Sequence, residues 1–196
     1  MIPLSVLAIA YLLGAIPFGY LLVKWKTGGD VRAAGSGNIG ATNVLRTTGR
    51  ATGIATLLLD AAKGYGAVWI AGRLTGDDPL WMSLAALAVM AGHAFPVFLR
   101  FKGGKAVASF VGAFLCLAPA ALAVETIIFV VVVIWTRTIS MASIVGAATF
   151  PLAVYLVARA PLAEILASMV AGGFIIYRHS SNLQRLRLGT ESKFKL

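Results

Sequence analysis

The sequence predicts an all-α, polytopic membrane protein with seven transmembrane helices, and three observations predict it. Of 196 residues, 59% are hydrophobic and only 12% are charged. Mean hydropathy is +0.89, well above that of a water-soluble domain. Apolar runs of about 20 residues recur along the chain, long enough at ~1.5 Å per residue to cross a hydrocarbon core.

The first run covers residues 3–23 and stops at Lys24 and Lys26. No basic stretch precedes it, so it reads as a retained helix that starts outside, not a cleaved signal. A polar segment, 24–50, follows. The second run, 51–71, holds Asp60 and Lys63 in mid-span, and "GRLTGDDPL" turns into the third, 80–99. Lys105 and Arg137 then bracket 31 residues with Pro119 near the middle. One span there would put the basic tail (Arg178, Arg185, Arg187, Lys193, Lys195) outside, against the positive-inside rule. Two short helices turning at "LAPAAL" keep it inside, because hydrophobic mismatch costs little. The last spans are 141–158 and 161–177, joined at "ARAP". The whole chain, 1–196, reads as a single membrane domain.

Charge agrees with that topology. The net charge is +10, and no basic run interleaved with aromatics points to nucleic acid. Arg73 and Arg159 fall at outer turns and Lys63 within a span, which leaves fourteen of the seventeen basic residues on the inner side. The polar segments 30–46, 92–105, 137–143 and 178–191 fall there too. One anion-binding site, built from cytoplasmic loops, is the expectation. The single cysteine, Cys116, supports no disulfide framework, and two histidines far apart give no metal-ligand spacing. No metal or cofactor is expected.

Residues 35–43, "GSGNIGATN", carry the most chemistry. Gly35, Gly37 and Gly40 fit G-x-G-x-x-G, but a hydrophobic helix precedes them where a dinucleotide fold needs a strand. The P-loop lysine is replaced by Ala41. What remains is a flexible loop or a backbone nest for an anion, followed by a helix N-terminus near Ile39. Asn38 would cap that helix, Ser36 would donate its hydroxyl, Thr42 and Asn43 would line the site, and Arg46 would fork onto a second anion.

In "GHAFPVFLRFKGGKAVAS", His93 ends the third span, and Gly103 and Gly104 lead into Lys105, which joins an ammonium group to helix-start donors. In "YRHSSNLQRLRLGTESKF", a helical start would set His179 and Asn182 on one face with Arg185 a turn on. Ser143 opens the sixth span at the same level. Asp60 and Lys63, three apart, either neutralise each other or orient a loop cation. The H-x-x-x-x-D signature of the common glycerolipid acyltransferases is absent, because Phe98 and Gln184 stand five residues after the two histidines.

Together "GSGNIGATNVLR", "GHAFPVFLRFKGGKAVAS" and "RHSSNLQRLRLGTESKF" resemble the acyl-phosphate-dependent glycerol-3-phosphate acyltransferases of bacteria, the PlsY type. The similarity covers nearly the whole chain, including "LLLDAAKG". Ser109, where the family pattern has Thr, is the one departure noticed. The resemblance implies acyl transfer from acyl phosphate to the sn-1 hydroxyl of glycerol 3-phosphate, at the inner face of a bacterial plasma membrane. The charge distribution places the N-terminus outside and the C-terminus in the cytoplasm, and a monomer among membrane lipid is expected. Ser36, Asn38, Lys105 and His179 would be catalytic. Gly35, Gly37, Gly40, Thr42, Asn43, Arg46, His93, Gly103, Gly104, Ser143, Asn182 and Arg185 would bind substrate. The proton of the attacking hydroxyl would go to His179, to His93 or, as favoured here, to a substrate phosphate oxygen. The rivals are a transporter of phosphate-bearing solutes, without visible internal repeats to support it, and a non-catalytic scaffold.

Overall fold

A computed structural model describes residues 2–194; Lys195, counted above with the basic tail, lies outside them. The described residues are helical and carry no strand. The chain forms two compact units, one up to Leu117 and one from Ala118 onward.

In the first unit α1 (Ile2–Ala15) and α2 (Phe18–Thr27) divide what the sequence presents as a single run. Pro17 is the cause: it has no N–H to give and its ring crowds the preceding turn, so the helix opens at Ile16 and restarts. The two helices together still make a span of 24 residues. Gly28, left-handed at φ 70°, closes α2 by donating its N–H to Lys24 O. A short helix α3 (Ala41–Thr48) leads into α4 (Arg50–Thr75), which ends at a second left-handed glycine, Gly76. Asp78 starts α5 (Pro79–Ala94) by accepting the Leu80 N–H, with Pro79 in the first turn, where a missing donor is harmless. α6 (Val107–Leu117) is only 11 residues long.

The second unit holds α7 (Pro119–Thr136), α8 (Ile139–Ala153), α9 (Leu162–Arg178) and α10 (Ser180–Arg187). The predicted break between two short helices falls at Ala118, which is held out of the helical region by Pro119. Pro151 lies inside α8, and a π-helical turn, Val154–Ala158, follows it. Among the described residues, five helices are long and apolar enough to cross a membrane, and α6 and α9 lie where the remaining two crossings are expected. On α7 the residues Ile127, Val131 and Ile134 form an exposed apolar stripe, which suits contact with lipid chains.

Small residues let these helices approach closely, as membrane helices must when no hydrophobic gradient drives them together. In the first unit α4 meets α6 with Gly64 on Ser109 O and Gly112 on Ala61 O, while α1 meets α5 with Gly14 on Val89 O and Gly92 on Tyr11 O. In the second, Gly172 of α9 sits on Ala147 O of α8. A methyl group at Gly112 would run into backbone, which cannot swing aside. Gly112→Ala is therefore expected to destabilise by about 1–3 kcal/mol. Gly66→Ala, with nothing within 4 Å of the added carbon, is expected to be neutral or slightly stabilising. Thermal unfolding of both variants in one detergent checks the contrast.

Candidate functional site

The glycine loop is built on Asn43. This residue is 2% exposed, in the first turn of α3. Its Oδ1 accepts the Ser36 N–H at 2.9 Å, and its Nδ2 donates to Val31 O, Ala34 O and Asn38 O at 3.2, 3.1 and 2.8 Å. Both ends of its amide thus hold the loop, so Asn43 shapes the nest from beneath; the sequence had it lining the site. Asn38 Oδ1 accepts the Gly40 N–H at 2.8 Å, and α3 begins at Ala41, two residues after the predicted start. Asn38 consequently fixes the approach to the helix instead of bonding inside its first turn.

Gly35 and Gly37 have φ of 61° and 68°, the left-handed conformations that let successive amides curve around an anion. Gly35, Ser36 and Gly37 are exposed, Asn38, Gly40 and Thr42 half-buried, and Arg46 lies exposed on α3. Asp30 accepts from Arg32 at 2.6 Å. The Arg32 side chain holds that carboxyl below the usual range against the opposing effect of burial. Arg32 is thereby neutralised locally.

The loop rests on an apolar cluster of Val23, Val31, Ile39, Val44 and Leu99, with Tyr20 against it. Leu99 belongs to the turn before the lysine–glycine segment, so two of the predicted motifs meet in this unit. Beside them lies a cavity of about 300 Å³ lined by Ile16, Pro17, Tyr20, Leu21, Phe98 and Leu99. Tyr20 and Leu99 serve both the cavity wall and the floor beneath the glycine loop.

Gly103 donates its N–H to Ala94 O at 3.2 Å and Gly104 to His93 O at 3.1 Å, which folds the segment back on the end of α5. Side chains are excluded there, because a methyl at Gly104 would overlap the His93 ring. Arg100, Phe101 and Ala106 all take left-handed φ, of 53°, 62° and 62°. Three such non-glycine residues around one lysine make a strained presentation of a kind that clusters at functional sites. Lys105 is half-buried within it. His93 is 3% exposed and its Nδ1 lies 3.5 Å from Asp60 Oδ1, while Lys63 pairs with the same oxygen at 2.8 Å. The predicted Asp60–Lys63 pair is present. The histidine–carboxylate approach was not visible in the sequence.

In the second unit α9 ends at Arg178, and His179 interrupts the helix before α10. The continuous helical start considered for this segment is thus broken at His179. The ring, 3% exposed, sets Nδ1 at 2.8 Å from Ile175 O. A carbonyl only accepts, so Nδ1 carries the proton and Nε2 is the acceptor nitrogen of the neutral ring. Ser143 returns its hydroxyl to Ile139 O. Asn182 Nδ2 and Arg185 Nε both donate to Glu191, at 2.6 Å each, and Ser140 Oγ donates to it at 2.8 Å. Glu191 was assigned no role in the sequence, although it is the only acid in a tail with five basic residues. That isolation is the signal that could have found it.

Burial opposes ionisation of Glu191, but the bonds from Asn182, Ser140 and Arg185 outweigh it and hold its pKa below the ordinary glutamate value. Because the folded-state pKa is lowered, the stabilisation is complete above that ordinary value. It is lost as pH falls through the folded-state value. Protection of the Thr190 and Phe194 amides, whose N–H groups bond to Arg185 O and Arg137 O, relative to the intrinsic exchange rate at each pH, is expected to be high at pH 7 and to fall in acid below the ordinary glutamate range.

A family model described as glycerol-3-phosphate acyltransferase matches residues 4–189. A glycerol-3-phosphate acyltransferase of Geobacter metallireducens is 50% identical over 196 residues, 100% of this chain and 99% of its own. A crystal structure of PlsY (YgiH), described as an integral membrane glycerol 3-phosphate acyltransferase in its glycerol 3-phosphate form, superposes with a TM-score of 0.93. It is 38% identical and covers 98% of this chain and 96% of its own. The lysophosphatidic acid form of PlsY gives a TM-score of 0.90 at 36% identity, covering 98% and 95%.

Proposed function

The chain belongs to the glycerol-3-phosphate acyltransferase family, and from that premise we propose that it moves a fatty acyl group from acyl phosphate to the sn-1 hydroxyl of glycerol 3-phosphate. Lysophosphatidic acid and inorganic phosphate are the products. The observation that carries the choice of donor is the shared wall in the first unit. Tyr20 and Leu99 back both an anion nest and an apolar cavity, as a ligand with a phosphate head and a hydrocarbon tail requires.

In this reading the loop from Gly35 to Gly40, with Ser36, Asn38 and Thr42, receives the donor phosphate, and Asn43 positions the loop. The acyl chain enters the cavity beside it from the lipid. In the first unit Arg46 and Lys105 bind glycerol 3-phosphate, with His93, Gly103 and Gly104 fixing Lys105; Ser143, His179, Asn182 and Arg185 are the substrate-binding candidates of the second unit. Acyl phosphate is a mixed anhydride, so no protein nucleophile is needed. The sn-1 oxygen bonds to the carbonyl carbon, the bond from that carbon to the phosphate oxygen breaks, and the hydroxyl proton passes to a phosphate oxygen. Holding the reacting atoms about 3–3.5 Å apart supplies much of the rate. Donors aimed at the charge growing on the leaving phosphate supply more.

The protein acts as one domain over 1–196, as a monomer in the plasma membrane of a bacterium, with the N-terminus outside and the C-terminus in the cytoplasm. Purified protein given palmitoyl phosphate and glycerol 3-phosphate should release one phosphate per lysophosphatidic acid formed. Release of phosphate without acylated product, or binding without turnover, would overturn the assignment. Turnover by both histidine-to-glutamine variants at reduced rate is the result expected if the substrate phosphate takes the proton.

A further inference from the structure

We propose that the buried cluster of Asp60, Lys63 and His93 is a positioning centre with two arms, one directed to each substrate. It rests on the acyl-transfer reading above. Asp60 is 2% exposed, Lys63 6% and His93 3%, so none of the three reaches bulk solvent. Charges at such depth are retained only when they are paired and hold something in place.

The first arm is Lys63. Besides pairing with Asp60 at 2.8 Å, its ammonium donates to Ile16 O at 2.8 Å, across 47 residues of sequence. In an unbroken helix Ile16 O would accept the Tyr20 N–H. The break at Pro17 removes that bond, and the carbonyl instead takes Lys63 and, at 3.2 Å, the Phe18 N–H. Ile16 and Pro17 line the apolar cavity, so Lys63 holds open the turn that forms part of its wall.

The second arm is His93. Its carbonyl takes the Gly104 N–H, and its ring fills the space where Gly104 would carry a side chain. Lys105 follows directly. His93 Nδ1 has no hydrogen-bond partner and faces Asp60 Oδ1, the oxygen that Lys63 holds at 2.8 Å, across 3.5 Å. A small closing movement would complete that bond, as catalytic hydrogen bonds commonly tighten when substrate is bound. Asp60 thus joins an arm that shapes the acyl cavity to one that presents the cation for glycerol 3-phosphate.

Steady-state kinetics on wild type, Lys63→Arg, Asp60→Asn and His93→Gln test the proposal, with palmitoyl phosphate and glycerol 3-phosphate varied in turn. Each replacement keeps a hydrogen-bonding group and nearly the native volume. His93→Gln is expected to raise KM for glycerol 3-phosphate about tenfold, the scale of one charge-assisted hydrogen bond, and KM for palmitoyl phosphate less than about twofold. Lys63→Arg is expected to do the reverse, because a longer planar fork displaces the Ile16 turn. Asp60→Asn should raise both. Equal changes in both constants for all three variants, a loss in kcat alone, or failure of all three to yield folded protein by size exclusion would overturn it. Absence of turnover by the wild type would instead remove the acyl-transfer reading and this inference with it.

Discussion

Replacing Lys105 with methionine is expected to lower kcat/KM for glycerol 3-phosphate by about 10²–10³-fold, the effect of losing one preorganised cationic donor at a reacting phosphate. Methionine retains most of the side-chain stem, so the loss isolates the ammonium group. The setting makes the effect large. Lys105 is half-buried, its approach is fixed by the Gly103 and Gly104 bonds to the end of α5, and the next residue is held at a left-handed φ of 62°. A charge presented in this way is partly desolvated and needs little reorganisation on binding. Lys105→Arg is expected to recover less than a tenth of the activity, since a planar fork does not replace a compact ammonium in a fixed frame. Deleting the charge of Arg73, in the last turn of α4, should change kcat/KM less than about twofold and controls for general electrostatics. Initial rates of phosphate release at several ionic strengths check all three. A Lys105→Met loss no greater than that of Arg73 would remove Lys105 from the reaction.

Much of the fold was legible because its causes are local. Long apolar runs, Asp78–Pro79 before α5, glycine after α4 and proline at Ala118–Pro119 each act within a few residues. The break at Ile16 was written in Pro17 but masked by continuous hydrophobicity on either side. Its meaning became visible only with Lys63, 47 residues away. The site divides along the same line. Glycine spacing located the nest, and the Lys–Gly–Gly–Lys segment located Lys105. Which polar residues face outward, however, depends on burial. Asn43 reads as one more ligand in a polar loop, yet three backbone carbonyls converge on its amide. Glu191 reads as an incidental acid until the chain folds back and sets Ser140, Asn182 and Arg185 around it. Pairings set by burial leave no periodic trace in a sequence, whether they join Asn43 to Asn38 or Ser140 to Glu191, and these are the ones that went unread.

Asn43 offers the second large effect, and aspartate is its most informative replacement. Asn43→Asp changes one atom and no volume, so packing beneath the loop is preserved. It nevertheless exchanges an amide that donates to Val31 O, Ala34 O and Asn38 O for an oxygen that faces the same three carbonyls. Only the bond from the Ser36 N–H survives, now to a carboxylate. Val31 O and Ala34 O keep only the Ala34 and Gly37 N–H groups, at 3.4 and 3.1 Å, and Asn38 O loses its side-chain donor, a combined loss that exceeds what one strengthened bond returns. Repulsion between the new charge and the carbonyl dipoles acts in the same direction. Asn43→Ala removes the same three side-chain bonds but adds no charge, and it vacates space that water can enter. The order expected is therefore wild type, then Asn43→Ala, then Asn43→Asp. The aspartate variant should lose about 10³-fold in kcat/KM for palmitoyl phosphate, within the range for a disassembled anion site. Because the damage is confined to a loop on an otherwise intact bundle, the midpoint of thermal unfolding should fall by only a few degrees, the shift that about 1 kcal/mol produces in a domain of this size. Protection of the Ser36 and Gly40 amides from hydrogen exchange should disappear in both variants. Full activity in Asn43→Asp would mean that the three carbonyls do not hold the loop in its working form, and the nest would then have to be placed elsewhere.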